Sequence, residues 1–161
     1  MGIFDFYNKN INENNYFTLI KNGIKIMDNY KELKNNGKYE VLIFNTLIVL
    51  RVYEKHKPDN IQLLQKEILN NLISIAPKYN VNFINNELTS FINNRFVFYS
   101  NELALIYGGQ GYLPGKLYDT FYISPLSSEP NMNLDIIELM PFLQYFTQMT
   151  EWLSDKTIEL L

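Results

Sequence analysis

Residues 38–57, KYEVLIFNTLIVLRVYEKHK, decide the fold of this chain. From Tyr39 to Tyr53 most positions are apolar, and they fall on every side of the segment rather than on one stripe. A helix that is apolar all round lies in the interior of a protein. The many β-branched residues would also suit a strand, but the run is long for a strand. We therefore favour a central, buried helix over residues 38–57.

Four further segments show the three- and four-residue apolar spacing of amphipathic helices. They are residues 11–34, 61–75, 86–107 and 133–161. The triplet Asn35-Asn36-Gly37 is typical of a helix end, and Pro141 predicts a kink or two helices in series. We expect a single helical domain over residues 1–161. Its fold class is all-α, with five to six helices in a bundle around the central helix.

Residues 108–131 interrupt this pattern with the sequence GGQGYLPGKLYDTFYISPLSSEPN. Pro114-Gly115 is a turn signal, and residues 116–123 show the alternation of a short strand. We therefore expect an irregular segment or a short β excursion. Loops of this length in a compact domain are usually functional or disordered, and the aromatic residues here favour packing over disorder.

The composition excludes several classes of protein. Of the 161 residues, 47% are hydrophobic and the net charge is only -3, so the chain is too apolar and too weakly charged to be disordered. The absence of cysteine excludes a disulfide framework and a cysteine-ligated zinc site. The 22 Asn and 18 Ile residues, against 2 Ala, indicate an AT-rich genome rather than a function.

Charge and targeting signals narrow the choice of partner. Residues 1–80 carry a net charge of +3 and residues 81–161 a net charge of -6, which suits a basic protein partner and disfavours nucleic acid. The start of the chain, MGIFDFY, lacks the regions of a secretory signal. The longest apolar run, 41–50, is shorter than the roughly 20 residues that span a bilayer. We expect a cytoplasmic protein without a membrane partner.

Few groups in the sequence suit catalysis. The single histidine, His56, stands among lysines, and without a second His or any Cys it forms neither a Cys-His pair nor a histidine-based metal site. A phosphate loop needs four residues where only three separate Gly111 from Gly115. Glu151 and Asp155 are four residues apart and therefore share one helix face. A metal or acid–base pair would need burial and a third ligand, so we expect two solvated carboxylates. We expect no enzymatic activity, no metal site and no cofactor.

Residues 108–131 form the predicted partner-binding segment. Tyr, Gly and Ser together are typical of binding loops, because tyrosine gives a large contact area at a small cost in entropy. We expect a protein partner to contact Tyr112, Tyr118, Asp119 and Tyr122. The alternative is that the segment caps the open end of the bundle and buries its aromatic rings. Homo-oligomerisation through exposed aromatic residues is compatible with either alternative.

Arg95 supports a second hypothesis. It falls within the apolar stripe of the segment 86–107, and a buried guanidinium there needs an acidic partner or an anionic ligand. The candidate acidic partners are Glu102, Asp119 and Glu138. If the partner is instead a ligand, Arg95 would anchor it in an apolar pocket between helices, lined also by Tyr99 and Trp152 and gated by residues 108–131.

A protein-interaction role is the leading expectation. The acidic second half and the Tyr-, Gly- and Ser-rich segment suit a small helical protein that blocks or bridges a partner, as an immunity-type inhibitor or an adaptor does. A small-molecule-binding helical bundle is the alternative. An enclosed cavity beside Arg95 would favour that alternative, whereas a filled core there would count against it.

Overall fold

The computed structural model describes residues 14–161. These residues form six helices and no strand, which confirms the all-α prediction. The helices are α1 (Asn14–Tyr30), α2 (Asn35–His56), α3 (Ile61–Ile75), α4 (Asn85–Tyr107), the short α5 (Gly115–Tyr118) and α6 (Ile136–Leu160). Shorter helical turns lie at Pro58–Asn60, Ala76–Tyr79 and Asp119–Ile123, the last of them a π-helical turn.

The central helix is α2, as the sequence predicts. It contacts α1, α3, α4, α6 and the turn Asp119–Ile123. Between Gly37 and Leu50 every residue except Lys38 is buried, because a helix that is apolar on all sides needs neighbours on all sides. Neither α2 nor another helix of residues 14–161 combines the length and the apolar character needed to cross a membrane.

The triplet predicted as a helix end, residues 35–37, instead forms the first turn of α2. Gly37 packs against the backbone of the π-helical turn, where an added Cβ would lie 2.3 Å from the carbonyl oxygen of Phe121. Only glycine allows so close an approach. The glycine that looks like a stop signal therefore serves helix packing.

Two tyrosines tie α1 to α6 in antiparallel orientation. The Tyr16 hydroxyl donates to the carbonyl oxygen of Leu160 (3.2 Å), and the Tyr30 hydroxyl donates to that of Glu138 (2.9 Å). α6 continues through Pro141 as one helix, so of the two alternatives, a kink or two helices in series, the second is wrong. Pro141 lies in the second turn, where its missing N–H removes only the hydrogen bond to the carbonyl of Ile137.

The strand considered for residues 116–123 is also wrong, because these residues lie in α5 and the π-helical turn. The pairs Leu117 with Phe121 and Tyr118 with Tyr122 alternate as in a strand, but they are also four residues apart. On a helix such pairs share a face, and all four side chains are buried. A lone strand would have left its backbone groups without partners.

Candidate functional site

Arg95 forms a buried ion pair with Glu40, which is not among the three carboxylates considered from the sequence. Arg95 Nε donates to Glu40 Oε1 (3.1 Å) and Oε2 (3.0 Å), and Nη2 donates to Oε1 (2.8 Å). The Tyr99 hydroxyl also donates to Glu40 Oε2 (2.5 Å). A signal for this pair exists in the sequence: Glu40 is the only charged residue between Tyr39 and Leu50, and a buried charge needs a partner.

The Arg95 guanidinium also contacts three other groups of the protein. The ring centroids of Phe91 and Phe98 lie 4.8 and 5.5 Å from its guanidinium carbon. Nη2 also donates to the carbonyl of Ser127 (2.6 Å). Burial opposes the charged guanidinium, but the Glu40 carboxylate outweighs this effect and raises the pKa of Arg95. These contacts count against Arg95 as the anchor of a bound ligand.

Of the other two residues of the pocket hypothesis, Tyr99 belongs to the core and Trp152 packs against it. Burial and the Glu40 carboxylate raise the pKa of Tyr99 well above its ordinary value, so its hydroxyl remains a donor. The Tyr99 ring packs against three phenylalanines, Phe44, Phe98 and Phe121. Trp152 lies half-buried on α6, packed against the core. The structure thus places Arg95 and Tyr99 together around Glu40, in a cluster of internal hydrogen bonds.

Leu126 and Ser127, in the last part of the predicted binding segment, form hydrogen bonds with Glu40 and Arg95. The Leu126 N–H donates to Glu40 Oε1 (2.8 Å), and Leu126 has a left-handed backbone with φ of 66°. A leucine rarely adopts that conformation, so the surrounding contacts must hold it there. Residues 124–127 therefore form a strap that Glu40 and Arg95 hold against the core.

Most of the predicted partner-binding side chains lie inside the molecule. Tyr118, Asp119 and Tyr122 are at most 9% exposed. The Tyr122 hydroxyl donates to the carbonyl of Met27 (2.7 Å), and Asp119 Oδ2 accepts the N–H of Asn131 (3.0 Å). This placement corresponds to the alternative in which the segment caps the bundle, and it leaves these three side chains little surface for a partner.

Tyr112, the fourth predicted contact, is half-buried beside α4. Its hydroxyl donates to Oε2 of the buried Glu102 (2.5 Å). Burial and that carboxylate raise the pKa of Tyr112. The hydrogen bond satisfies a buried carboxylate, so Tyr112 also has a role in holding the segment against the bundle.

A run of exposed apolar side chains follows the predicted segment. Five large apolar side chains within residues 132–140 are between 41% and 86% exposed, and together we call them the 132–140 patch: Met132, Leu134, Ile136, Ile137 and Met140. Single exposed apolar residues are normal, but contiguous exposed apolar patches mark interaction surfaces. From sequence alone, Ile136, Ile137 and Met140 look like part of the buried stripe of the last helix.

A polar cluster fixes the start of α6 beneath this patch. Glu138 Oε2 accepts the hydroxyl of Tyr118 and shares the Tyr30 hydroxyl hydrogen with the Glu138 carbonyl oxygen, and both hydroxyl oxygens lie 3.0 Å from Oε2. Lys31 Nζ lies 3.9 Å from that oxygen and donates to the Tyr118 hydroxyl (2.8 Å). The cluster joins α1, α5 and α6, so the patch stands on a supported helix start, which Asp135 caps by accepting the N–H of Ile137 (3.1 Å).

The pKa shifts in this cluster suit a structural role rather than proton transfer. The hydrogen bonds from Tyr30 and Tyr118 lower the pKa of the Glu138 carboxyl. Burial raises the pKa of both tyrosines, and the neighbouring Glu138 raises it further, although Lys31 partly opposes the rise at Tyr118. A tyrosine that abstracts protons needs a pKa near the working pH, whereas these hydroxyls stay protonated and donate hydrogen bonds.

Comparison with known proteins found no match for this chain among family models, curated proteins or solved structures. Across residues 14–161 no group of three or more His, Asp or Glu side chains is placed to hold a metal ion.

Proposed function

We propose that this protein is an interaction module that binds a protein partner through the 132–140 patch. The observation that carries the proposal is the exposure of five large apolar side chains within nine consecutive residues. Such a module would act as an immunity-type inhibitor or as an adaptor. The binding surface lies directly after residues 108–131, which support it from below rather than contact the partner.

The energetics favour contact at this surface. Burying one large apolar side chain stabilises a complex by about 1.5–3 kcal/mol, and association must first offset the lost freedom of the two partners. Ile137 is 86% exposed, so it has the most surface to lose on binding. The hydrogen bonds of Glu138 and Asp135 already order the helix start, and this order reduces the entropy that a partner must overcome.

Acceptor groups around the patch favour a basic partner. The carbonyl oxygen of Ile137 lacks the helical donor from residue 141, because that residue is proline. The Asp135 side chain is exposed and one of its oxygens caps the helix. Lys and Arg side chains supply only donors, so they suit such a surface, as the net charge of -6 over residues 81–161 also does.

Affinity capture with matched variants tests the proposal. The tagged wild-type protein is expected to co-purify a partner in equal amount, and the double variant Ile137→Asp/Met140→Asp is expected to lose it. Leu63→Asp is the control, because Leu63 is 60% exposed and lies on α3, which does not contact α6. Each substitution removes an exposed side chain, so stability should change by only about 0.5 kcal/mol.

Two results would contradict the proposal. One is a partner that the double variant retains at the wild-type level. The other is a partner that Leu63→Asp loses equally, since that loss would show that any apolar surface serves the contact. Thermal unfolding of all three proteins, followed by circular dichroism, separates lost binding from lost folding.

A further inference from the structure

The 132–140 patch continues into a longer exposed face of α6. Six of its side chains recur at three- and four-residue steps and therefore share one side of the helix. All six are exposed: Ile137, Met140, Gln144, Gln148, Glu151 and Asp155. The opposite side of α6 carries Phe142, Phe146 and Met149, which are fully buried. The exposed face is thus one continuous surface of the helix.

The chemistry of this face changes along its length. It is apolar at Ile137 and Met140, carries two uncharged amides in the middle, and ends in the carboxylates of Glu151 and Asp155. The nearest basic residue on the helix, Lys156, forms an ion pair with Glu159 (2.7 Å). From Ile137 to Asp155 the helix rises about 27 Å, at roughly 1.5 Å per residue.

We infer that the partner presents one amphipathic segment, with apolar anchors at one end and Lys or Arg side chains about 27 Å away, and lays it along this face of α6. The inference rests on the proposed function and names the chemistry of the partner. An apolar end and an acidic end on one helix face are complementary to an apolar end and a basic end. A helix of about 18 residues spans that length.

The same charges disfavour other occupants of the face. Carboxylates at Glu151 and Asp155 would be repelled by the phosphates of nucleic acids and by anionic lipid headgroups. A second copy of this chain laid on the face would either oppose carboxylates to carboxylates or bury them against apolar side chains, and both arrangements are unfavourable. A cationic segment of another protein avoids both costs.

Synthetic peptides of 18 residues provide the probe. One helical peptide carries three leucines near one end and three lysines near the other, on the same face, and its twin carries glutamates in place of the lysines. Each peptide is made in two versions, with the leucines near the amino end or near the carboxyl end. All are labelled, and their binding to the full-length protein is measured by fluorescence anisotropy. We expect the lysine peptide, in one chain direction, to bind at least tenfold more tightly than its twin.

Charge-reversal variants make the test specific. The change Glu151→Lys/Asp155→Lys should weaken binding of the lysine peptide about tenfold and strengthen binding of the glutamate peptide. Asp59→Lys/Glu87→Lys is the control, since it changes net charge equally at exposed sites on other elements and should leave the preference unchanged. Ile137→Asp should weaken binding of both peptides more than tenfold.

Equal binding of the two peptides, or no binding of either, would overturn the inference. So would a preference that Glu151→Lys/Asp155→Lys leaves unchanged. The proposed function fails separately, when the captured partner survives the double variant Ile137→Asp/Met140→Asp. If the partner is lost with that double variant but its binding does not depend on the charges at 151 and 155, the proposed interaction module stands. Only the inference about the apolar and acidic face of α6 then fails.

Discussion

Glu40 on α2 and Arg95 on α4 form an ion pair inside the bundle, with Arg95 Nε bonded to both oxygens of the Glu40 carboxylate. The same carboxylate accepts the Tyr99 hydroxyl and the N–H of Leu126. A single buried acid thus joins two helices to the strap at residues 124–127. Removing one partner leaves several buried groups unsatisfied, so this pair is the first target for mutation.

Arg95→Leu should destabilise the fold by about 3–5 kcal/mol, because it leaves the Glu40 carboxylate buried without its cation. The double change Glu40→Leu/Arg95→Leu should recover part of that loss, since no charge then remains inside. Urea denaturation of Arg95→Leu, Glu40→Leu and the double variant measures the three losses of stability. A double variant whose loss equals the sum of the two single losses would show that the residues do not interact.

Tyr122→Ala should destabilise the protein by about 3–5 kcal/mol, as truncation of a buried aromatic side chain does. Tyr122→Phe should cost only about 0.5–1.5 kcal/mol, because it removes a single hydrogen bond, from the hydroxyl to the Met27 carbonyl. Urea denaturation also tests this pair of variants. If Tyr122→Ala left stability unchanged, the side chain would not be part of the core. The prediction that Tyr122 contacts a partner would then be favoured again.

Gly37→Ala and Gly109→Ala should differ, although both replace a glycine. At Gly37 the new Cβ would lie 2.3 Å from a backbone oxygen, so α2 and the π-helical turn must separate at a cost of about 1–3 kcal/mol or more. At Gly109 the space is open, and the cost of about 1–2 kcal/mol comes from its left-handed φ of 74°. Hydrogen exchange should show lost protection around residues 119–123 only in Gly37→Ala, and equal protection there in both variants would argue against the close contact.

Acid should weaken the cluster around Glu138. Its folded-state pKa lies below the ordinary value of 4.5, so its stabilising effect is present above that value and is lost as the pH falls through the lowered pKa. Glu138→Gln removes the titrating group. We expect the difference in Tm between the wild type and Glu138→Gln to be largest at neutral pH and to shrink below about pH 4.5. A difference that stays constant down to pH 3 would contradict this assignment.

Helix periodicity predicts the fold here better than it predicts the site. The apolar run of α2 is stable only when it is buried on all sides. The apolar stripes of α3 and α4 predict these two helices. Local signals fail where two structures share a pattern. Leu117 and Phe121 satisfy the spacing of a strand as well as that of a helix, and Gly37 suits a helix end as well as a close packing contact.

The sequence by itself determined the all-α fold class, which residues 14–161 show, and the central position of residues 38–57, because both follow from how apolar side chains repeat along the backbone. Only the tertiary structure decided that Glu40 is the partner of Arg95, that Tyr118 and Tyr122 face inward, and that Ile137 faces solvent. These outcomes depend on which helices meet, and residues 55 positions apart, such as Glu40 and Arg95, are joined by packing that no local spacing encodes.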